Sequence, residues 1–260
     1  MTRIFDSHAH YDDRAFDEDR HALLQALPSR GVGAVIHAAT DPDSARFGIA
    51  LAERYPYFRV AVGIHPEAAG RVQDDWLARL KELAQHPAVC AVGEIGLDYH
   101  YEDGCPREQQ IALLRQQLEL AAALKLPVIL HDRDAHEDTL ALLREYRPQG
   151  VVHCFSGSVE MMREVTALGL YIGLGGVTTF KNARRPAAVA AAVPADRLLL
   201  ETDAPYMAPE PCRGQRCDSS LIAHTAACIA RLRGVDTATL LAQTWQNACR
   251  LFRLPEWESI

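Results

Sequence analysis

Residues 5–10 read FDSHAH. The fragment closes the first apolar run of the chain and sets His8 and His10 two positions apart. In a strand, residues i and i+2 project from one face. Both imidazoles would then leave the C-terminal end of that strand together. Polar residues where a strand meets a loop would account for the pair. So would a two-histidine metal claw, because imidazole is the commonest metal ligand. The fragment alone leaves both readings open.

Working outward, the same short Val/Ile/Leu-rich pattern recurs at 3–8, 34–39, 59–64, 88–95, 127–132, 150–155, 170–175 and 197–202. Such runs predict strands buried on both faces. Helical spacing fills gaps between them, at 18–31, 41–55, 107–127, 136–146, 158–169 and 183–194, and again at 220–234 and 237–252. This alternation predicts an α/β fold, a TIM (β/α)8 barrel, as a single domain over residues 1–260. A doubly wound open sheet is the alternative. It usually needs fewer strands, and no glycine-rich phosphate turn follows the first strand.

In a barrel, chemistry sits at the C-terminal strand ends. There the sequence places His8 and His10 (first strand), His65 (third), Glu94 (fourth), His131 (fifth), His153 (sixth) and Asp203 (eighth). Each has an ordinary explanation alone: a core histidine, a structural ion pair, a cap. Together they would bury a charge cluster at one barrel end, at several kcal/mol for each unpaired charge. A metal supplies the partner. His8, His10, Glu94 and Asp203 can hold one ion. Glu94, His131 and His153 can hold a second, with Glu94 bridging. Histidine and carboxylate donors suit Zn, Mn or Mg. Two such ions ~3.5–4 Å apart would share a water and clamp a displacement at phosphorus or carbon.

Composition sets the outer bounds. The chain is 48% hydrophobic and 23% charged, ordinary for a globular protein. No apolar run approaches the ~18 residues of a membrane span, and the N-terminus does not read as a signal peptide. The seven cysteines are scattered with no CxxC pair, which predicts reduced thiols in the cytoplasm. Cys212 and Cys217 bracket a spacing that a metal or disulfide could use, but no second Cys/His pair accompanies it. A net charge of −7 argues against broad adhesion to polyanions. Local basic groups and bound cations can still override that average. Nothing reads as a coiled coil or a dimer helix, so a monomer with no protein partner is expected.

The motifs DSHAH, GIHP, VGEIGLDY, LPVILHDRDA, VVHCFSG and LLLETDAPYMAP, in this order, closely resemble the TatD family of metal-dependent hydrolases in the amidohydrolase superfamily. The resemblance runs from about residue 3 to residue 254. It implies a barrel with divalent metal and a deoxyribonuclease that degrades single-stranded DNA, and in some members RNA, from the 3′ end. Carried over, His8, His10, Glu94, His131, His153 and Asp203 match metal ligands. His65 and Glu201 match positions close to the site. One departure follows MAPEPCRGQR, where the family usually has an Asn-Glu-Pro turn. Cys217, Asp218, Ser219 and Ser220 stand there instead, on a loop expected to face the site and to affect substrate preference.

The mechanism expected from this set has Asp203 as general base and Glu94 holding the ions together. Phosphate contacts are expected from Arg133, Lys181, Arg184, Arg185, Arg213 and Arg216, and base stacking from Tyr99 and Tyr206. Another hydrolase of the same barrel remains a rival, acting on phosphotriesters, lactones, amides or aminoacyl-tRNA. Many of those bridge their metals through a modified lysine on the fourth strand, where this chain has Glu94. A non-catalytic, metal-stabilised binding module is the other rival.

Overall fold

A computed structural model describes residues 3–254 and Trp257. Eight parallel strands run in sequence order: β1 Ile4–Ala9, β2 Val32–Ala38, β3 Phe58–Val62, β4 Val89–Asp98, β5 Val128–Arg133, β6 Gly150–Val152, β7 Tyr171–Leu174 and β8 Leu198–Leu200. The ring closes where β8 returns to β1. Ala9 bridges Ala204, the His10 amide donates to the Ala204 carbonyl at 2.7 Å, and the Asp203 amide donates to His8 O at 3.0 Å. This is the TIM barrel that the alternation predicts. Among the described residues, no helix is long and apolar enough to cross a membrane.

The helices are α1 Arg20–Ala26, α2 Pro42–Arg54, α3 Trp76–Leu83, α4 Arg107–Leu124, α5 His136–Tyr146, α6 Val159–Ala167, α7 Arg184–Ala192, α8 Ile222–Arg233 and α9 Thr237–Phe252. Sequence reading missed α3, because only Trp76 and Leu80 on it are buried, a single i, i+4 pair. Asp41 caps α2 by accepting from the amides of Asp43 and Ser44. Pro28 tightens the end of the first helical segment into a 3-10 turn, and Gly31 stops it with φ at 90°.

Strands β3, β6, β7 and β8 end sooner than predicted, and β4 runs on to Asp98. Ladder pairing stops at Val152 in β6 and at Leu200 in β8. Cys154 and Asp203 just beyond take left-handed φ values of 43° and 63°, which no strand accommodates. His153 and Asp203 therefore stand at the mouth of the barrel rather than in its wall.

The strand faces explain how the mouth is furnished. One apolar cluster draws Phe5, Ile36, Ala61, Ala91, Ile129, Val151, Tyr171 and Leu199 from all eight strands, so these side chains fill the barrel interior. Alternation from Ile129, Val151 and Leu199 aims His131, His153 and Glu201 inward. Alternation from Phe5 and Ala91 would aim His8, His10 and Glu94 outward. The register slips between Asp6 and Ala9 on β1 and between Val92 and Ile95 on β4. Each slip reverses the parity and turns those three side chains into the mouth.

Helix α4 pins two strand ends through Gln110 and Gln117, two turns apart on one face. The Gln117 amide accepts from Ile64 N at 2.8 Å and donates to Ile64 O at 3.1 Å. Gln110 does the same for Asp98, at 2.8 Å in both directions. Both strand ends thereby keep their backbone groups satisfied where the ladder stops.

Candidate metal centre

The site is built around Glu94, which is 2% exposed. Its Oε2 faces His8 Nε2 at 3.3 Å and His10 Nε2 at 3.4 Å. Its Oε1 faces His153 Nε2 at 2.7 Å, His131 Nδ1 at 2.9 Å and His65 Nε2 at 3.5 Å. Asp203 Oδ1 closes the first group, 3.3 Å from His10 Nε2 and 3.7 Å from His8 Nε2. The His8 and His153 rings stack at 3.8 Å. Thus the structure brings together His8, His10, Glu94, His131, His153 and Asp203, with one Glu94 oxygen turned to each half of the cluster.

Hydrogen bonds on the far side of two rings decide which nitrogens carry lone pairs. His10 Nδ1 lies 2.8 Å from the Ala38 carbonyl. A carbonyl only accepts, so Nδ1 carries the proton, and neutral His10 presents a bare Nε2 to two carboxylates. His131 Nε2 lies 2.9 Å from Asp98 Oδ2, which leaves Nδ1 bare toward Glu94. With those nitrogens committed, His10 Nε2 and His131 Nδ1 meet the carboxylates only through a cation, either a second ring proton or a metal ion. Burial alone would discharge His10, but contacts with Asp203 and Glu94 hold its pKa up at about 9. His131 is also buried, yet Asp98 and Glu94 hold it at about 10. His8, desolvated and beside His153, is pushed down to about 3. Burial would raise the Glu94 carboxyl, but His153, His8 and His65 draw it well below the usual range. The carboxylates demand positive charge, and with no Lys or Arg in the cluster it comes from extra protons on His10 and His131 or from a metal that takes their place. Divalent metal fits this donor set, and three His/Glu/Asp groups have their ligand atoms within 4.8 Å of one another.

The neighbouring residues divide by role. The Glu67 amide donates to His65 Nδ1 at 3.3 Å. His65 Nε2 therefore bears the proton that it directs at Glu94. Glu201 does not face the cleft. It is 1% exposed and lies under His153, with Oε1 accepting from the Cys154 amide and 3.9 Å from His153 Nδ1. Burial pushes its carboxyl well above the ordinary value. Gly173 makes room for it: a Cβ there would lie 2.3 Å from Glu201 Oε2. Glu201 thus positions the sixth strand end rather than touching substrate. Sequence reading missed Asp98 as the group that orients His131. Its spacing of four from Glu94 along one strand was the available signal.

Above the cluster opens a cleft of about 1130 Å³. Arg133, Arg184, Arg185 and Tyr206 line it, as do Arg71, Tyr101 and Asn182, which sequence reading passed over. Tyr101 and Tyr206 are half exposed at its rim. Arg133 lies over the Tyr101 ring, and the Tyr206 hydroxyl donates to Asp13 at 2.7 Å. Four expected contacts fall outside the lining. Arg216 pairs with Asp19 at 2.7 Å, Arg213 packs over Phe180, Tyr99 donates to Asp138, and Lys181 is an exposed side chain beyond the lining.

The 217–220 loop also departs from expectation. Cys217 and Ser219 are fully buried, and the Ser219 hydroxyl lies 2.7 Å from the Tyr11 hydroxyl beneath β1. Asp218 caps the turn through the Ser220 amide. None of the four residues lines the cleft, because the loop spends its polar groups on the barrel wall. Cys212 and Cys217 are free thiols.

Comparison with known proteins agrees with this geometry. The profile described as TatD related DNase matches residues 5–253. The 3′-5′ ssDNA/RNA exonuclease TatD of Cronobacter sakazakii is 39% identical over 258 residues, covering 96% of this chain and 97% of that protein. The uncharacterized metal-dependent hydrolase YabD of Bacillus subtilis is 37% identical over 254 residues, covering 96% and 99%. The crystal structure of the TatD homolog YjjV from Escherichia coli K12 has a TM-score of 0.91 at 36% identity, covering 98% and 99%. With the likeness running from the first strand into the last helix, the chain belongs to the TatD related DNase family and is a metal-dependent hydrolase of ester bonds.

Proposed function

We propose that the protein is a 3′→5′ exonuclease on single-stranded DNA, with RNA as a further substrate. The cleft carries this reading. Its size exceeds the ~300–1,000 Å³ of ordinary small-molecule pockets. Three arginines line the arc from β5 to β7, and a tyrosine stands exposed on each rim. Arginine suits phosphate and tyrosine suits an unstacked base. The C. sakazakii relative, named for activity on ssDNA and RNA, supports the same choice.

Two divalent cations, Mg, Mn or Zn, would be held by His8, His10, Glu94 and Asp203 on one side and by Glu94, His131 and His153 on the other. When bound, they make water more acidic and offset the charge that develops on the phosphoryl oxygens. Glu94 spans both halves and keeps them in register. Burial would raise Asp203, but His10 and His8 hold it below the usual carboxylate range, so it is ionised at neutral pH and takes the proton of the attacking water. Arg133, Arg184 and Arg185 hold backbone phosphates, and Tyr206 stacks on a base. The ligand set comes from one chain, which suits a single-domain monomer. The free cysteines suit the cytoplasm.

The test is end-labelled single-stranded DNA incubated with protein and Mg2+, Mn2+ or Zn2+, beside a chelator and the folded Glu94→Ala variant. Stepwise loss from the 3′ end, abolished by both controls, is expected. Intact DNA with folded, metal-loaded wild type overturns the reading and turns attention to lactones, phosphotriesters and aminoacyl-tRNA.

A further inference from the structure

Charge around the cleft is sorted by wall. The loops after β1, β2 and β3 contribute Asp12, Asp13, Asp41 and Glu67 to the lining. The end of β5 contributes Arg133, and the first turn of α7, after β7, contributes Arg184 and Arg185. Asp132 of β5 also lines this side, with its carboxylate 2.8 Å from His136 Nδ1. Strands that run in ring order place β1–β3 across from β5–β7. The metal cluster lies between an acidic wall and a basic wall. Arg71, on the loop after β3, is the single exception in the acidic half.

The acidic wall is held in place and is not neutralised. Asp13 accepts from the Ala15 amide and from the Tyr206 hydroxyl, both at 2.7 Å. Asp41 is tied to the head of α2. Asp12 faces buried His37 at 3.8 Å. Arg20 meets Asp12 and Asp13 only at their backbone carbonyls and spends its charge on the Asp17 carboxylate at 2.6 Å. Among the described residues, no Lys or Arg forms an ion pair with any of the four carboxylates.

A polyanion therefore has one favourable bed. Phosphates follow the arginine wall to the metals, and a phosphate beyond the metals would meet carboxylates. Like charges set against each other suppress the wrong partner. We propose that the acidic wall is an end stop: Asp12, Asp13, Asp41 and Glu67 admit a terminal nucleoside with a free 3′-hydroxyl and refuse a 3′-phosphate or a strand that continues past the metals. A hydroxyl can donate to a carboxylate, whereas a phosphate diester cannot. Tyr206, anchored on Asp13, then stacks on the terminal base. The inference rests on the nuclease reading and adds the reason for acting at an end.

The experiment compares three labelled substrates: an oligonucleotide with a 3′-hydroxyl, the same strand with a 3′-phosphate, and a single-stranded circle. Degradation is measured with metal, and binding by fluorescence anisotropy without it. Wild type is expected to favour the 3′-hydroxyl by at least ~10-fold in both readouts and to leave the circle intact. The Asp12→Asn/Asp41→Asn/Glu67→Gln variant is expected to bring the ratio to within ~3-fold. Its isosteric changes keep the Asp41 cap, and circular dichroism checks the fold. A wild-type ratio near one, or an unchanged ratio in the folded variant, overturns the end stop while the nuclease reading stands. Failure of loaded wild type to cut any strand overturns both.

Discussion

Strand β1 carries Phe5 near one end of the barrel and His8 at the other, with His10 just past it, and the two ends follow opposite rules. Around Phe5 lie Trp245 at 5.4 Å, Trp257 at 5.8 Å and Phe252 at 6.1 Å between ring centres. The polar atom there is satisfied: Trp245 Nε1 donates to Trp257 O at 2.9 Å. At the other end, carboxylates crowd against imidazoles, and His8 Nδ1, His153 Nδ1 and Glu201 Oε2 are buried without a hydrogen-bond partner. One end is packed to lower the free energy of the fold. The other keeps an electrostatic debt that a metal relieves. The barrel tolerates the second because the first, with the helices, supplies the stability.

The contrast breaks if the two ends are not separable. Phe5→Ala should cost about 3–5 kcal/mol of unfolding free energy in denaturant titrations, through lost burial and the cavity left behind. It should leave metal affinity of the folded protein unchanged, and a parallel loss of metal binding would show that the ends are coupled. Asp98→Asn sharpens the opposite side. The carboxylate that orients His131 becomes an amide of similar shape, so metal affinity by calorimetry should fall ~10–100-fold. Chelator-treated wild type and variant should melt nearly together, and equal metal affinities would remove Asp98 from the site.

The smallest effect belongs to neither end. Arg216→Ala removes the exposed pair with Asp19 and should cost about 0.2–1 kcal/mol. The Arg216 hydrogen bond holds Asp19 below its ordinary pKa in the folded state. Its contribution is then complete above the unfolded value of ~3.9 and fades as pH falls through the folded one. Stability curves of wild type and variant should converge in acid. A gap that widens there would mean another group supports this loop.

Much of this was legible in one dimension. The strands announce themselves as short apolar runs, and the titratable residues at their ends are the ones that meet at the mouth. On β5, β6 and β8, a period of two is enough to aim His131, His153 and Glu201 inward. The same rule fails for His8, His10 and Glu94 when counted from Phe5 and Ala91, because a register slip depends on the neighbouring strand. Charge on the surface was less legible still. Arg133, Arg184 and Arg185 reach the cleft, while Arg216 and Arg213 are engaged by Asp19 and Phe180. Nothing within a few residues of those arginines distinguishes them.

By itself, the sequence determined the alternation of strand and helix, the barrel that follows from it, and the kinds of ligand available at each strand end. Those are properties of local spacing and residue chemistry. Tertiary structure alone decided which nitrogen of His10 and His131 is bare, that Glu94 shares its oxygens between two groups, that residues 217–220 lie under β1, and that acid and base occupy opposite walls. Each of these depends on partners far away in the chain, as Ser219 and Tyr11 show, and only closing the ring brings them within hydrogen-bonding distance.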